Sequence, residues 1–418
     1  MKDRYLELFF PKWLIRLGIG VLVGLAVVTT AMAGPKITGT ASAWAYARDD
    51  SVEHVQVVPT VSFVARDCVR RDLHFEGSLR GYTDLRHDKS EDRQLRILRA
   101  VFVYEPQGKP YQVRLGQQWL SEGVGRGNVM GAWVKYRLNR ITSVSGYFGM
   151  RVDPSLSVQY KNDLQGTAGG ANLRTRFNGI NLGVSYFGVA KSWELQYNGV
   201  GVDASGKPMK DLLLRGRVEA QVVDNEWVNW ERVQLLAHWT PQDRVQVTAE
   251  FREQTPRIYE DSYFIDFLKE AYTTYARGAV RWTFYKMIYV KATGMTLLAD
   301  YPDPLYKVRG ALGHPNLEVG YTHWLSVAKG VMDGFYAQAN YRLNEKYDLF
   351  GGYDFSTGSN ADPDLRAATD SHAAYLGGSA TPIPALTLTL RVEQVTSLNY
   401  DDDWRGLFGI STRFSNLR

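Results

Sequence analysis

Among 418 residues there is one cysteine, Cys68. A single thiol excludes an internal disulfide framework, a multi-cysteine zinc or iron–sulfur site and covalently attached haem. Long apolar runs are missing as well. Beyond the first 33 residues none approaches the roughly 20 apolar residues of a membrane helix, so any membrane span there is built of strands. An excess of one charge is also missing: 49 Lys and Arg against 44 Asp and Glu leave +5 over the whole chain, too dilute for a nucleic-acid partner. The seven histidines are scattered, with no metal-type pair, and no Gly-x-Ser-x-Gly element occurs. The reading is of a protein that is not an enzyme and needs no cofactor. Length alone suggests two or three soluble domains.

What is abundant points elsewhere. There are 25 Tyr, 17 Phe, 11 Trp and 39 Gly, an unusual mix for a helical protein. At the start, Lys2, Arg4, Lys12 and Arg16 precede the apolar stretch Leu17 to Val28. Ala31-Met32-Ala33 then supplies small residues at a cleavage site. Residues 1–33 are therefore expected to be a cleaved export signal, and residues 34–418 one domain.

From Lys36 to Phe414 the chain alternates apolar and polar residues in units of about ten, a period of two that means half-buried strands. The clearest case is Leu386 to Glu393, with Leu386, Leu388, Leu390 and Val392 on one face. Short turns are expected at Pro106–Lys109, Asn139-Arg140, Asn178-Gly179, Thr240–Asp243, Tyr285-Lys286, Gly313-His314, Asn344-Glu345 and Thr381–Ile383. Longer connections, including 153–169, 254–271 and 357–370, fall between them. Short turns on one side and long loops on the other describe an all-β, antiparallel up-and-down transmembrane β-barrel of about 22 strands, with no plug domain. Segments 36–48, 93–104 and 170–177 alternate poorly and leave 18 or 20 strands open.

Two further patterns support a membrane barrel over a soluble sandwich. Tyr104, Tyr111, Tyr136, Trp239, Phe284, Tyr341 and Tyr347 sit on the apolar face beside the short turns. Trp119, Trp193, Phe251 and Phe355 lie at the other strand ends, as in two interfacial girdles. Ionised groups fill the opposite face, which a packed core would not accept.

The last strand, Trp404 to Phe414, resembles the terminal signature of outer-membrane porins, a glycine followed by alternating residues that end on an aromatic. The resemblance implies that Phe408, Gly409, Ile410 and Phe414 are read by the barrel-assembly machinery. It also turns Phe408, Ile410 and Phe414 to lipid, and Gly409, Ser411 and Arg413 to the lumen. Val113 to Gln118, followed by the glycine-rich segment Glu122 to Asn128, is similar to an early porin strand. In that segment Gly123-x-Gly125-x-Gly127 follows a strand but opens no helix, so it is not a phosphate loop.

The inner face is assigned Arg80, Arg114, Arg215, Arg217, Arg244, Arg277, Arg281, Arg342 and Arg391, with Glu76, Glu219 and Glu250 as acids. Hydrated walls of mixed charge pass polar solutes, and the basic surplus suggests a weak anion preference. The expectation is a passive channel for small hydrophilic solutes or ions in a bacterial outer membrane. Its surroundings would be lipid and lipopolysaccharide, and it would be alone or in a homo-oligomer. The alternative is an insulating sheath around a multihaem cytochrome from the periplasm or the cell exterior, carrying electrons across the membrane. Segment 254–271 is expected to fold inward as a constriction or to form a surface lid, and Asp401-Asp402-Asp403 reads as a solvated acidic loop.

Overall fold

The computed structural model describes residues 36–49, 54–85, 94–152, 166–192, 194–223, 227–254, 273–299, 304–326, 330–359, 370–397 and 400–415. The first strands are β1 (Lys36–Asp49), β2 (His54–Arg66), β3 (Leu73–Asp84), β4 (Gln94–Tyr104), β5 (Tyr111–Glu122), β6 (Gly125–Arg137) and β7 (Thr142–Val152). Next come β8 (Thr167–Phe177), β9 (Ile180–Lys191), β10 (Glu194–Met209), β11 (Leu212–Val223), β12 (Trp227–Gln242), β13 (Val245–Gln254) and β14 (Thr273–Tyr285). The set is completed by β15 (Ile288–Ala299), β16 (Leu305–His314), β17 (Leu317–Ser326), β18 (Gly330–Asn344), β19 (Tyr347–Ser359), β20 (Ser371–Ile383), β21 (Leu386–Ser397) and β22 (Tyr400–Ser415).

Each strand pairs antiparallel with the next, and β1 closes on β22 from Thr38↔Ser415 to Asp49↔Trp404. The chain is a closed barrel of 22 strands, and the three poorly alternating segments are all strands within it. Strand count is even, so β1 begins and β22 ends on the same rim. The closing seam carries an ion pair of its own. Arg48 of β1 reaches the buried carboxylate of Asp403 at 3.1 Å, and Arg405 reaches it at 2.8 Å. This corrects the reading of Asp401–Asp403 as a solvated loop: the three lie in β22, and the Asp403 side chain is buried on the inner face between two arginines. Its charge needs those partners, because an unpaired carboxylate away from water is strongly disfavoured.

Turns on the termini-bearing rim are short and follow local chemistry. Asn178 and Gly179, with φ +46° and +80°, make the two-residue turn between β8 and β9. Asn139 Oδ1 accepts from the amides of Ile141 (2.9 Å) and Thr142 (2.8 Å), and Asn344 does the same for Lys346 (2.8 Å) and Tyr347 (3.1 Å). Several turns fall one to three residues later than expected, at 286–287, 315–316, 345–346 and 384–385, because alternation continues into the hairpin ends. Most of the longer connections expected on the opposite rim, and Trp193, lie outside the described residues.

The pairing register shows which residues share a face. Phe102, Leu115, Val308, Phe335 and Leu376 belong to one face and are exposed, Leu376 at 70%. Arg217, Glu250, Arg277, Glu318 and Arg391 belong to the other. The apolar face is thus outermost, the reverse of a soluble protein. Leu376→Arg on this face is expected to cost about 2–4 kcal/mol in folding into lipid vesicles. The inner-face control Thr389→Arg is expected to cost far less; equal costs in a denaturant titration would refute the inside–outside assignment.

Candidate functional site: an inward ribbon and a basic inner wall

The register places eleven of the twelve predicted charged residues on the inner face. Arg244 lies in the turn between β12 and β13, and the other eleven lie in strands. They do not form one cluster. Glu76 of β3 pairs with Arg99 of β4 at 2.7 Å and with His74 at 3.3 Å, while Arg80 lies farther along the same strand. Arg114 stacks over Trp133 at 4.6 Å. Arg342 pairs with Asp348 at 3.2 Å, and Arg391 with Glu393 at 3.1 Å. Of the terminal-strand residues, Phe408 and Ile410 share the outer face. Phe414 does too, and lies against Gly39 of β1, where a Cβ would strike its ring.

Strands β14 to β16 carry the basic wall. Arg277 faces Glu250 in register, Arg281 faces Lys291, and Arg309 and Lys307 follow on β16 opposite Thr293 and Met295. None of these five cations is within ion-pair distance of a described carboxylate. Three lie on aromatic rings instead: Arg281 over Tyr289 (3.8 Å), Lys307 over Trp324 (3.8 Å) and Arg309 over Tyr336 (3.5 Å). The ring quadrupole holds each cation without neutralising it. Tyr289 and Tyr336 are fixed in turn, each donating its hydroxyl to Glu318 at 2.6 Å. The result is a row of oriented positive charges open to the lumen.

Among the described residues the inward element is the β5–β6 ribbon; the segment expected as the constriction, 254–271, lies outside them apart from Gln254. Gly116, Gly131 and Gly149 stand opposite one another across β5, β6 and β7, and Gly116 has φ +130°. Side chains at Gly116 and Gly131 would strike the neighbouring strand's backbone, so the row lets the sheet bend there. Beyond it the ribbon leans across the inner wall, and its tip, Gly123–Val124–Gly125, is buried.

Polar and apolar contacts hold the tip. Val124 N–H donates to Ser185 Oγ of β9 at 2.9 Å, Ser145 of β7 donates to Glu122, and Arg217 of β11 donates to the Gly123 carbonyl. Arg126 reaches the buried Glu219 at 3.3 Å; Arg217 also pairs with that carboxylate, and Arg232 lies at 4.0 Å. Around the tip, Leu120, Val124, Val129, Trp133, Tyr147, Phe187, Val189 and Tyr197 form a small apolar core on the lumen side, with Phe187 and Tyr197 rings 5.6 Å apart. Gly201, beneath Val124, leaves room for it. Burial of each large side chain stabilises by roughly 1.5–3 kcal/mol.

Arg126, Val124 and this core were not anticipated. Their signal was the loss of alternation in β6, β7, β9 and β10, where both faces carry large apolar residues. Gly123-x-Gly125-x-Gly127 proves to be a packing element, with Gly123 against Ser185 and Gly125 against Tyr147. Among the described residues no group of three His, Cys, Asp or Glu is arranged to hold a metal ion.

No family model matches the chain, and no curated protein matches it. Solved structures of similar shape include the outer membrane protein opdK from Pseudomonas aeruginosa. It is 10% identical, with 91% of this chain and 98% of that one covered and a TM-score of 0.46. A BenF-like porin from Pseudomonas fluorescens Pf-5 is 10% identical, with coverage of 92% and 99% and a TM-score of 0.44. OccAB2 from Acinetobacter baumannii is also 10% identical, with 91% and 98% covered and a TM-score of 0.45. At this level of similarity the fold rests on the closed ladder of the chain itself.

Glu219→Gln keeps the shape of the latch but removes its charge, leaving three arginines around a neutral amide. Breaking such a buried pair costs about 3–5 kcal/mol. The expected result is a noisier, larger single-channel current in a planar bilayer; a current identical to the parent's would show that the ribbon is held by its apolar core alone.

Proposed function

We propose that the protein is a passive outer-membrane channel for small hydrophilic solutes, with anions preferred. The observation that carries this reading is the row Arg277, Arg281, Lys291, Lys307 and Arg309, five cations on three adjacent strands with no described carboxylate within ion-pair distance. Arg281, Lys307 and Arg309, held on aromatic rings, lose little entropy when an anion passes from one to the next. They lower its energy along the wall without trapping it at one point. The outward apolar face and the aromatic residues at both strand ends support placement in a bacterial outer membrane.

Residues 1–33 are read as the export signal, and Phe408, Gly409, Ile410 and Phe414 as the contact for the assembly machinery. The cytochrome sheath is the weaker reading. A sheath needs a clear bore, whereas the β5–β6 ribbon and its core occupy part of this one.

Reversal potentials in a KCl gradient across a bilayer test the preference. Chloride is expected to be favoured over potassium, and Arg277→Gln, Arg281→Gln and Arg309→Gln together are expected to move the reversal potential toward the potassium limit. Potassium preference in the parent protein would overturn the proposal.

A further inference from the structure

In hydrocarbon every backbone N–H and C=O needs a partner, so the places where the ladder stops carry information. Between β4 and β5 it runs only from Tyr104↔Val113 to Ala100↔Gln117. That is five residue pairs, against at least eight at every other seam. Beyond this point β4 continues to Gln94 paired with β3 alone, and β5 continues to Glu122 paired with β6 alone. Ala100 is four residues above Tyr104 of the termini-side girdle. At about 3.3 Å per residue and a tilt of about 40°, the strands part about 10 Å above that girdle, near the middle of a band about 25 Å tall. The opening therefore occupies the half of the wall away from the termini.

The parting has local causes. A β-bulge in β4 lies at Leu98, between the pairs Arg99↔Ser78 and Ile97↔Leu79, and Gly116 turns β5 away with its positive φ. Across the parting the Gln117 side-chain amide donates to the Ile97 carbonyl. A cavity of about 650 Å³ opens at the seam, between Leu98 and Arg99 of β4 and Trp119 of β5, and extends over Phe63, Gly77 and Phe414. Its lining comes from both faces of the sheet. Phe63, Trp119 and Phe414 are outward and apolar, and Leu98 lies at the bulge; Arg99 and its partner Glu76, 2.7 Å apart, are inward and charged.

We propose that the β4–β5 seam is a lateral portal for a single-chain amphiphile with an anionic head, exchanged between the lumen and the half of the bilayer away from the termini. The apolar chain lies against Leu98, Phe63 and Trp119, and the head turns to Arg99 on the inner side. The cavity volume is within the range of sites that hold one small ligand. The proposal rests on the membrane reading above, and the two fail separately: ion conductance tests the pore, and labelling from the lipid tests the portal.

The probe is palmitate bearing a diazirine in its chain, photolysed with the full barrel in lipid vesicles and mapped by mass spectrometry. Labels are expected at Leu98 and Trp119 and also on inner-face residues at the seam, such as Ser78 and Arg99. Joining Leu98→Cys to Trp119→Cys with a bis-maleimide, in a Cys68→Ser background, is expected to abolish the inner-face labels while ion conductance persists. Because the variants carry a folding risk, brominated palmitate is also added to the unaltered protein, where selective quenching of seam tryptophan fluorescence is expected. Labels confined to outward side chains, inner labels that survive the cross-link, or no quenching would each overturn the portal.

Discussion

The constraint on which the structure depends is that an apolar medium offers the backbone no hydrogen-bond partners. A strand placed there must find partners on both edges, and the last strand can find one only by returning to the first. Closure of β22 on β1 satisfies it except where the β4–β5 ladder stops, and the inversion of the usual residue distribution follows. Once the ladder is closed the outer face meets lipid and the inner face meets water, so alternation along each strand is a lipid–water alternation. The charges inside are tolerated because they are hydrated, ion-paired, or laid on aromatic rings.

Within that frame the inner wall has two different halves. On β14 to β16 it is cationic and open, with aromatic side chains acting as rests for charge. On β5 to β10 it behaves as a small globular core, with buried aromatics and a hairpin tip packed against them. Glycines allow the second arrangement: a bend needs backbone freedom at Gly116, and close approach needs the absence of a side chain at Gly201. The latch at Glu219 joins the two halves, since Arg126 comes from the ribbon while Arg217 and Arg232 come from the wall leading toward the cationic strands.

Much of the barrel was legible in the residues because a period of two is a strong signal and survives averaging over many strands. Facing was legible for the same reason, so Arg217, Arg277 and Glu250 could be turned inward with no knowledge of their neighbours. Which of them meet was not legible. Gly116, Gly131 and Gly149 form a row only through the register of three strands, and Glu219 is a latch only because a hairpin tip arrives from far along the chain. Asp403 was misread because three consecutive aspartates look like solvent-exposed chain, whereas one of them is buried between two arginines. Turn positions slipped because strands such as β16 keep alternating to their last residue.

The closing pair has a consequence for how the molecule forms. Arg48 and Asp403 are 355 residues apart, so their meeting is among the longest-range contacts in the chain. Hairpins can form locally and early, but the entropy of bringing distant ends together opposes this last union until the sheet has curled. A buried carboxylate that is tolerable only between Arg48 and Arg405 makes a misaligned closure expensive, because a slip of one residue would turn Arg48 to the lipid side. The ion pair therefore acts as a checkpoint on registry at the final step of assembly.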